Sequence, residues 1–251
     1  MKNAKDKLIL ALDVPTFDEA RVIVEALGDT VEIYKVGFQL FTAYGPFIVR
    51  YLQTQGKKVF LDLKFHDIPN TVASGVASAV GLSVPVNNAL DVKGNKTDKF
   101  APVLMMTIHT QGGLEMMKAA ADAAKKKAVE LGVERPLIVG VTVLTSDVGG
   151  ANVSTLVLER AKLAQVSGLD GVVASAQEAG MLRKELGPDF VIVTPGIRPA
   201  DADAGDQKRV ETPASAIKSG SSFLVVGRPI VKAKDPQAAA RAILAEILTA
   251  L

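Results

Sequence analysis

The sequence contains no cysteine, and its 251 residues include only two histidines, His66 and His109. Disulfides and thiolate chemistry are therefore excluded, and a structural zinc site is out of reach, because such sites draw their four ligands mainly from Cys and His. Nothing calls for an oxidising compartment, so a cytoplasmic protein is expected. An excess of one charge is also missing. The 29 basic and 27 acidic side chains leave a net of +2, too even for a dedicated nucleic-acid surface. No apolar run approaches the roughly 20 residues needed to cross a membrane. The opening stretch, MKNAKDKLILALDV, has a short apolar segment interrupted at Asp13, so no secretory leader is expected there.

What is present is a repeating alternation. With 48% hydrophobic residues the chain can bury a large core. Short apolar runs at Leu8–Val14, Val31–Gly37, Val59–Lys64, Leu104–His109, Leu137–Thr142, Gly171–Ala174, Val191–Thr194 and Phe223–Val226 read as eight strands. Continuous rather than alternating hydrophobicity is the mark of strands buried on both faces. Helical patterns separate them, from Phe17 to Gly28, Pro46 to Gln55, Pro69 to Val80, Leu114 to Leu131, Ser154 to Val166, Gln177 to Leu186 and Thr212 to Ser219. A last helix is expected after Asp235 as N-cap and Pro236 at its first position. Eight strands alternating with eight helices in about 250 residues predict a (β/α)8 TIM barrel, one α/β domain over residues 1–251. A doubly wound open sheet would call for a glycine-rich loop after its first strand, and Asp13-Val14-Pro15 is not one. One segment departs from the rhythm. Ser83 to Pro102 is polar and too long for a helix-to-strand connection, and in a barrel it would lie on the N-terminal face, as a solvated loop or short hairpin.

The stretch carrying the chemistry is Asp62 to Thr71, DLKFHDIPNT. Strand residues two apart share a face, so Phe60, Asp62 and Lys64 are expected to point the same way, with Asp67 joining them where the chain turns into a helix. A lone Asp-x-Lys would read as a structural ion pair. Here, however, Asp13 ends the first strand and Lys35 lies near the end of the second, so five alternating charges gather at three consecutive strand ends. That is the rim where barrels of this kind carry their active sites. Nearby carboxylates keep an ammonium protonated, which makes Lys64 a candidate proton donor.

The second half of the chain points to an anion. TPGIR follows the seventh strand and GRP follows the eighth, the two loops that commonly hold phosphate in this fold. Gly227 allows close approach of backbone N–H groups, and Arg198 and Arg228 supply charge. The polar stretch from Arg198 to Val210 has the length of a lid from which Gln207 could reach a ligand. Thr145 and Ser146, after the fifth strand, offer hydroxyls. His66 has no third group to make it a triad base and reads as structural. His109, on the same rim, is also more simply a structural histidine.

Taken in order, LALDVP, KVG, LDLKFHDIPNT, TVLTS, TPGIRP, GDQ and VGRPI resemble the bacterial orotidine 5′-phosphate decarboxylases over nearly the whole chain. The resemblance implies a homodimeric (β/α)8 barrel that needs neither metal nor cofactor. It implies conversion of orotidine 5′-phosphate to uridine 5′-phosphate and carbon dioxide, a step of de novo pyrimidine biosynthesis. Lys64 would donate a proton to C6 of the pyrimidine, with Asp62 beside the departing carboxylate. Lys35 and Asp13 would bind the ribose, and Thr145 would face the base. Asp67, Ile68 and Thr71 would form an arm reaching the neighbouring subunit's site. Arg198, Gln207, Gly227 and Arg228 would contact the phosphate and lid. Ser83 to Pro102 departs from the family pattern. Sister enzymes acting on sugar phosphates with magnesium share the Asp-x-Lys-x-x-Asp core, and a nucleotide-binding barrel without turnover is the non-enzymatic alternative.

Overall fold

Eight parallel strands close on themselves in chain order, each bonded to its sequence neighbour and the eighth to the first. The computed structural model describes residues 4–85, 100–144, 152–199 and 211–251. The strands are β1 (Leu8–Ala11), β2 (Ile33–Val36), β3 (Lys58–Phe65), β4 (Val103–His109), β5 (Leu137–Val141), β6 (Gly171–Val173), β7 (Val191–Thr194) and β8 (Phe223–Val226). Around them lie α1 (Phe17–Leu27), α2 (Phe38–Tyr44), α3 (Pro46–Thr54), α4 (Pro69–Gly81), α5 (Gly113–Leu131), α6 (Val153–Val166), α7 (Ala176–Leu186), α8 (Pro213–Lys218), α9 (Arg228–Val231) and α10 (Pro236–Leu248). The (β/α)8 barrel expected from the alternation is therefore the fold. Two short helices, α2 and α9, were not expected, because four to seven residues are too few to display a helical period. Asp13 lies two residues beyond the end of β1 rather than at it.

Each strand is apolar on both sides because each side is covered. Along β1, Ile9 and Ala11 face the barrel interior, where they join Ile33, Phe60, Met105, Val139, Val193 and Val225. Leu8 and Leu10 face outward into the layer shared with the helices. The helices start where side-chain acceptors precede apolar periodicity. Thr16 accepts from the Glu19 N–H, Ser175 from Gln177, Thr212 from Ser215, and Asp235 from Ala238.

Both described ends of the Ser83–Pro102 departure are fixed between α4 and β4, and residues 86–99 lie outside the described residues. Arg50 donates to the carbonyls of Leu82 and Val84, at 2.8 and 2.6 Å. The fully buried Gln53 donates to the Leu82 carbonyl, and its own carbonyl accepts from Ala101. The Ser83 hydroxyl accepts from Val103.

Candidate active site

At the carboxyl ends of the strands lies a cavity of about 440 Å³. Phe60, Val193 and Val225, from the barrel's inner layer, are among its lining residues. Asp13, Lys35, Asp62 and Lys64 line one side, and Pro195 to Arg198 together with Gly227 to Pro229 line the other. Four of the five predicted charges form one chain of contacts. Asp13 Oδ1 is 3.1 Å from Lys35 Nζ, Lys35 Nζ is 3.4 Å from Asp62 Oδ2, and Asp62 Oδ2 is 2.8 Å from Lys64 Nζ. The side chains of Lys35 and Asp62 are only 11% and 12% exposed, so the inner contacts act with little screening by water.

Burial pushes the Asp62 carboxyl up. The ammonium groups of Lys35 and Lys64, with hydrogen bonds from Lys64 and Thr107, outweigh it and hold Asp62 below the usual carboxylate range. Gly37 makes room for this packing. A Cβ there would stand 3.1 Å from Lys35 Nζ and 3.4 Å from Asp13 Oδ1.

Simple strand alternation does not explain how Lys64 reaches Asp62. Lys64 has φ 47°, in the left-handed region, and among the described residues it is the sole non-glycine residue there. Such a backbone costs a side-chain-bearing residue about 1–2 kcal/mol. The cause lies in the register. Leu61 pairs with Met106, but the next pair is Phe65 with Ile108, so Asp62, Leu63 and Lys64 stand opposite the single residue Thr107. The Thr107 hydroxyl, fully buried, accepts from the Lys64 N–H at 2.8 Å and donates to Asp62 Oδ1 at 3.0 Å. Thr107 sits in an otherwise apolar run, so a sequence pass reads it as an ordinary strand residue.

Asp67 does not join the array within the chain. It is exposed, and its carboxylate accepts from the Ile68 N–H at 2.6 Å. The sequence expected it to meet Lys64 at the strand's end, but residues 66–68 leave the barrel before α4 begins. Ile68 and Thr71 are exposed beside it. Phe38, at the start of α2, is also exposed and stands 5.3 Å from Lys64 Nζ, centroid to nitrogen. His66 lies against His109, with ring centroids 5.5 Å apart. His109 Nδ1 is buried and has no hydrogen-bond partner among the described residues. Burial, with smaller contributions from His66, Lys64 and Arg160, lowers the His109 pKa; Asp62 opposes them.

Across the cavity, Arg198 is 7% exposed, and its N–H donates to the Glu211 carbonyl where Ile197 bridges Glu211. Gly227 and the exposed Arg228 lead into α9. A Cβ on Gly227 would stand 3.4 Å from that of Ala11. Lys232 adds a cation to the lining that the sequence did not suggest, because it follows the GRP turn at a spacing with no evident meaning. Thr145, Ser146 and Gln207 lie outside the described residues. Among those described, no three His, Cys, Asp or Glu side chains cluster as metal ligands, and no helix is long and apolar enough to cross a membrane.

Comparison with known proteins points to one family. Residues 6–243 match the Orotidine 5'-phosphate decarboxylase / HUMPS family. An orotidine 5'-phosphate decarboxylase of Moorella thermoacetica is 46% identical, over 98% of this chain and 93% of the relative. Another, of Geobacter metallireducens, is 45% identical over 98% and 97%. The crystal structure of orotidine 5'-phosphate decarboxylase from Lactobacillus acidophilus superposes with a TM-score of 0.78 at 36% identity, covering 96% of this chain and 99% of that one.

Proposed function

The chain belongs to the Orotidine 5'-phosphate decarboxylase / HUMPS family, and on that premise we propose that it decarboxylates orotidine 5′-phosphate to uridine 5′-phosphate without metal or cofactor. The observation that carries this reading is the position of Lys64, 2.8 Å from a buried carboxylate in a cavity whose opposite wall holds Arg198 and Arg228. The phosphate would sit on that wall with Gly227, and Gln207 would reach it from residues 200–210. The pyrimidine would lie against the array, facing Thr145, with the ribose hydroxyls on Asp13 and Lys35.

The chemistry follows from charge. The bond from C6 to the carboxylate breaks, carbon dioxide leaves, and the electron pair stays on C6, where the ring delocalises it poorly. The Lys64 ammonium stabilises that developing charge and then gives C6 its proton, leaving uridine 5′-phosphate and a neutral amine that solvent reprotonates. Asp62 stands where the carboxylate departs, and Lys35 keeps it ionised. Binding energy from the remote phosphate serves to hold the reacting ring in place.

The active unit in this reading is a homodimer with sites shared across the interface. Asp67, Ile68 and Thr71 project from one exposed segment, with the exposed Phe38 beside Lys64. No nucleic acid or membrane takes part, and the cytoplasm is the proposed location.

The test follows the loss of orotidine 5′-phosphate ultraviolet absorbance with EDTA present, for wild type and Lys64→Ala. Turnover that the substitution lowers by about 10³-fold or more is expected. Turnover that requires magnesium, or occurs only with a sugar phosphate, would replace this reading with that of the sister enzymes.

A further inference from the structure

Four threonines are buried among the described residues: Thr194 pairs with the Ser221 hydroxyl, and the other three differ in what their hydroxyls meet. Thr110 donates to the Val141 carbonyl at 2.9 Å, and Thr142 to the Val173 carbonyl at 2.8 Å. Both satisfy a polar atom on the neighbouring strand's backbone, the ordinary solution for a buried hydroxyl. Thr107 makes no such bond. Its oxygen lies between the Lys64 N–H, which it accepts, and Asp62 Oδ1, to which it donates.

We propose that Thr107 is a positioning residue for the charge array, its hydroxyl setting both the backbone of Lys64 and the direction in which Asp62 presents its second oxygen. The inference rests on the reaction proposed above and adds to it a residue that does not line the cavity.

The geometry supports it in two ways. Three residues of β3 oppose one of β4, and within that irregularity the Lys64 N–H meets the Thr107 side-chain oxygen. The N–H is thereby held while Lys64 keeps its left-handed φ. A carboxylate can also rotate about its bond to the rest of the side chain. With Oδ1 tied to Thr107, Oδ2 is left facing Lys64 at 2.8 Å and Lys35 at 3.4 Å. One hydroxyl thus couples the proton donor's main chain to its counter-ion's side chain. Preorganised groups cost no rearrangement when charge develops, which is where such a device would appear in the rate.

The test compares Thr107→Val, which keeps the shape and removes the hydroxyl, with Thr107→Ser, which keeps the hydroxyl. Steady-state kinetics on orotidine 5′-phosphate are read beside a 13C titration of the Asp62 carboxyl, assigned with Asp62→Asn. The groups acting on Asp62 are Lys64 on its own strand, Lys35 on β2 and Thr107 on β4, and Asp62 in turn acts through its charge on His109 of β4. Thr107→Val is expected to lower kcat by roughly 10-fold or more with little change in KM, and to raise the Asp62 midpoint. Thr107→Ser should restore most of both. Wild-type kcat and titration in Thr107→Val would overturn the proposal. So would equal losses in both variants, which would assign the effect to volume. If Thr107→Val does not fold, Thr107→Cys, a weak donor of similar size, takes its place. If the wild type does not turn over orotidine 5′-phosphate, the reaction is wrong, and the titration alone judges Thr107. A shift restored by Ser then upholds the orienting role, and no shift overturns it.

Discussion

Asp62 is held ionised against its own burial, and that balance makes it sensitive to acid. Its pKa in the fold is depressed, so its contribution to stability is present above the unfolded value of about 3.9 and is lost as pH falls through the lower folded value. Asp62→Asn should therefore soften the loss of urea resistance below about pH 4, measured as the unfolding midpoint against pH. An unchanged acid limb would contradict it. His109 acts in a higher window. Its folded pKa is also lowered, chiefly by burial. The unfolded chain thus takes up a proton first as pH falls below about 6.5, and stability declines from there. His109→Gln should remove the part of the slope that begins below about pH 6.5, again read from urea midpoints. Equal slopes would show that the histidine ring is not the group responsible.

Among the elements, one heavily used side chain is Arg183. Its guanidinium donates to the carbonyls of Gly187, Pro188, Phe190 and Gly220 and to the Ser222 hydroxyl. It joins the end of α7 to the start of β7 and to the turn before β8. Arg183→Met leaves several of these groups without a partner and should cost about 2–4 kcal/mol in denaturant unfolding. A loss under about 1 kcal/mol would mean that water replaces it easily. The pairing of β6 with β7 sets a different demand. A Cβ on Gly171 would stand 2.1 Å from the Val191 carbonyl oxygen. Gly171→Ala should destabilise by about 3 kcal/mol or more, since backbone must move. Neither feature is legible in the sequence. Arg183 looks like a solvated helix cation, and Gly171 like a strand start, because their partners lie on other elements.

For the whole molecule, the closed barrel brings charges from just after β1 and from β2 and β3 to face cations after β7 and β8. In the proposed reading, one cavity would then meet both ends of the nucleotide. Orotidine without its phosphate would, in that reading, lose the contacts of Arg198 and Arg228. At about 1.5–3 kcal/mol for each charge-assisted bond, two contacts correspond to a kcat/KM lower by about 10²–10⁴-fold. Steady-state assay of the nucleoside checks this, and comparable values for the two substrates would remove the phosphate from the account.

The sequence alone determined the eight-strand alternation, because strands covered on both sides must be apolar on both sides, and that writes a continuous signal at each strand. It also picked out the ionisable residues in or just after those strands, since charges stand out in such runs. The closeness of Asp13, Lys35, Asp62 and Lys64 followed from both. The tertiary structure decided what depends on register. The two extra residues in β3, the left-handed Lys64 and the bridging hydroxyl of Thr107 arise from how β3 pairs with β4. The position of Asp67 outside the array was decided there as well, by the point at which the chain leaves the barrel. A hydrogen-bond partner 43 or 45 residues away leaves no local pattern to read.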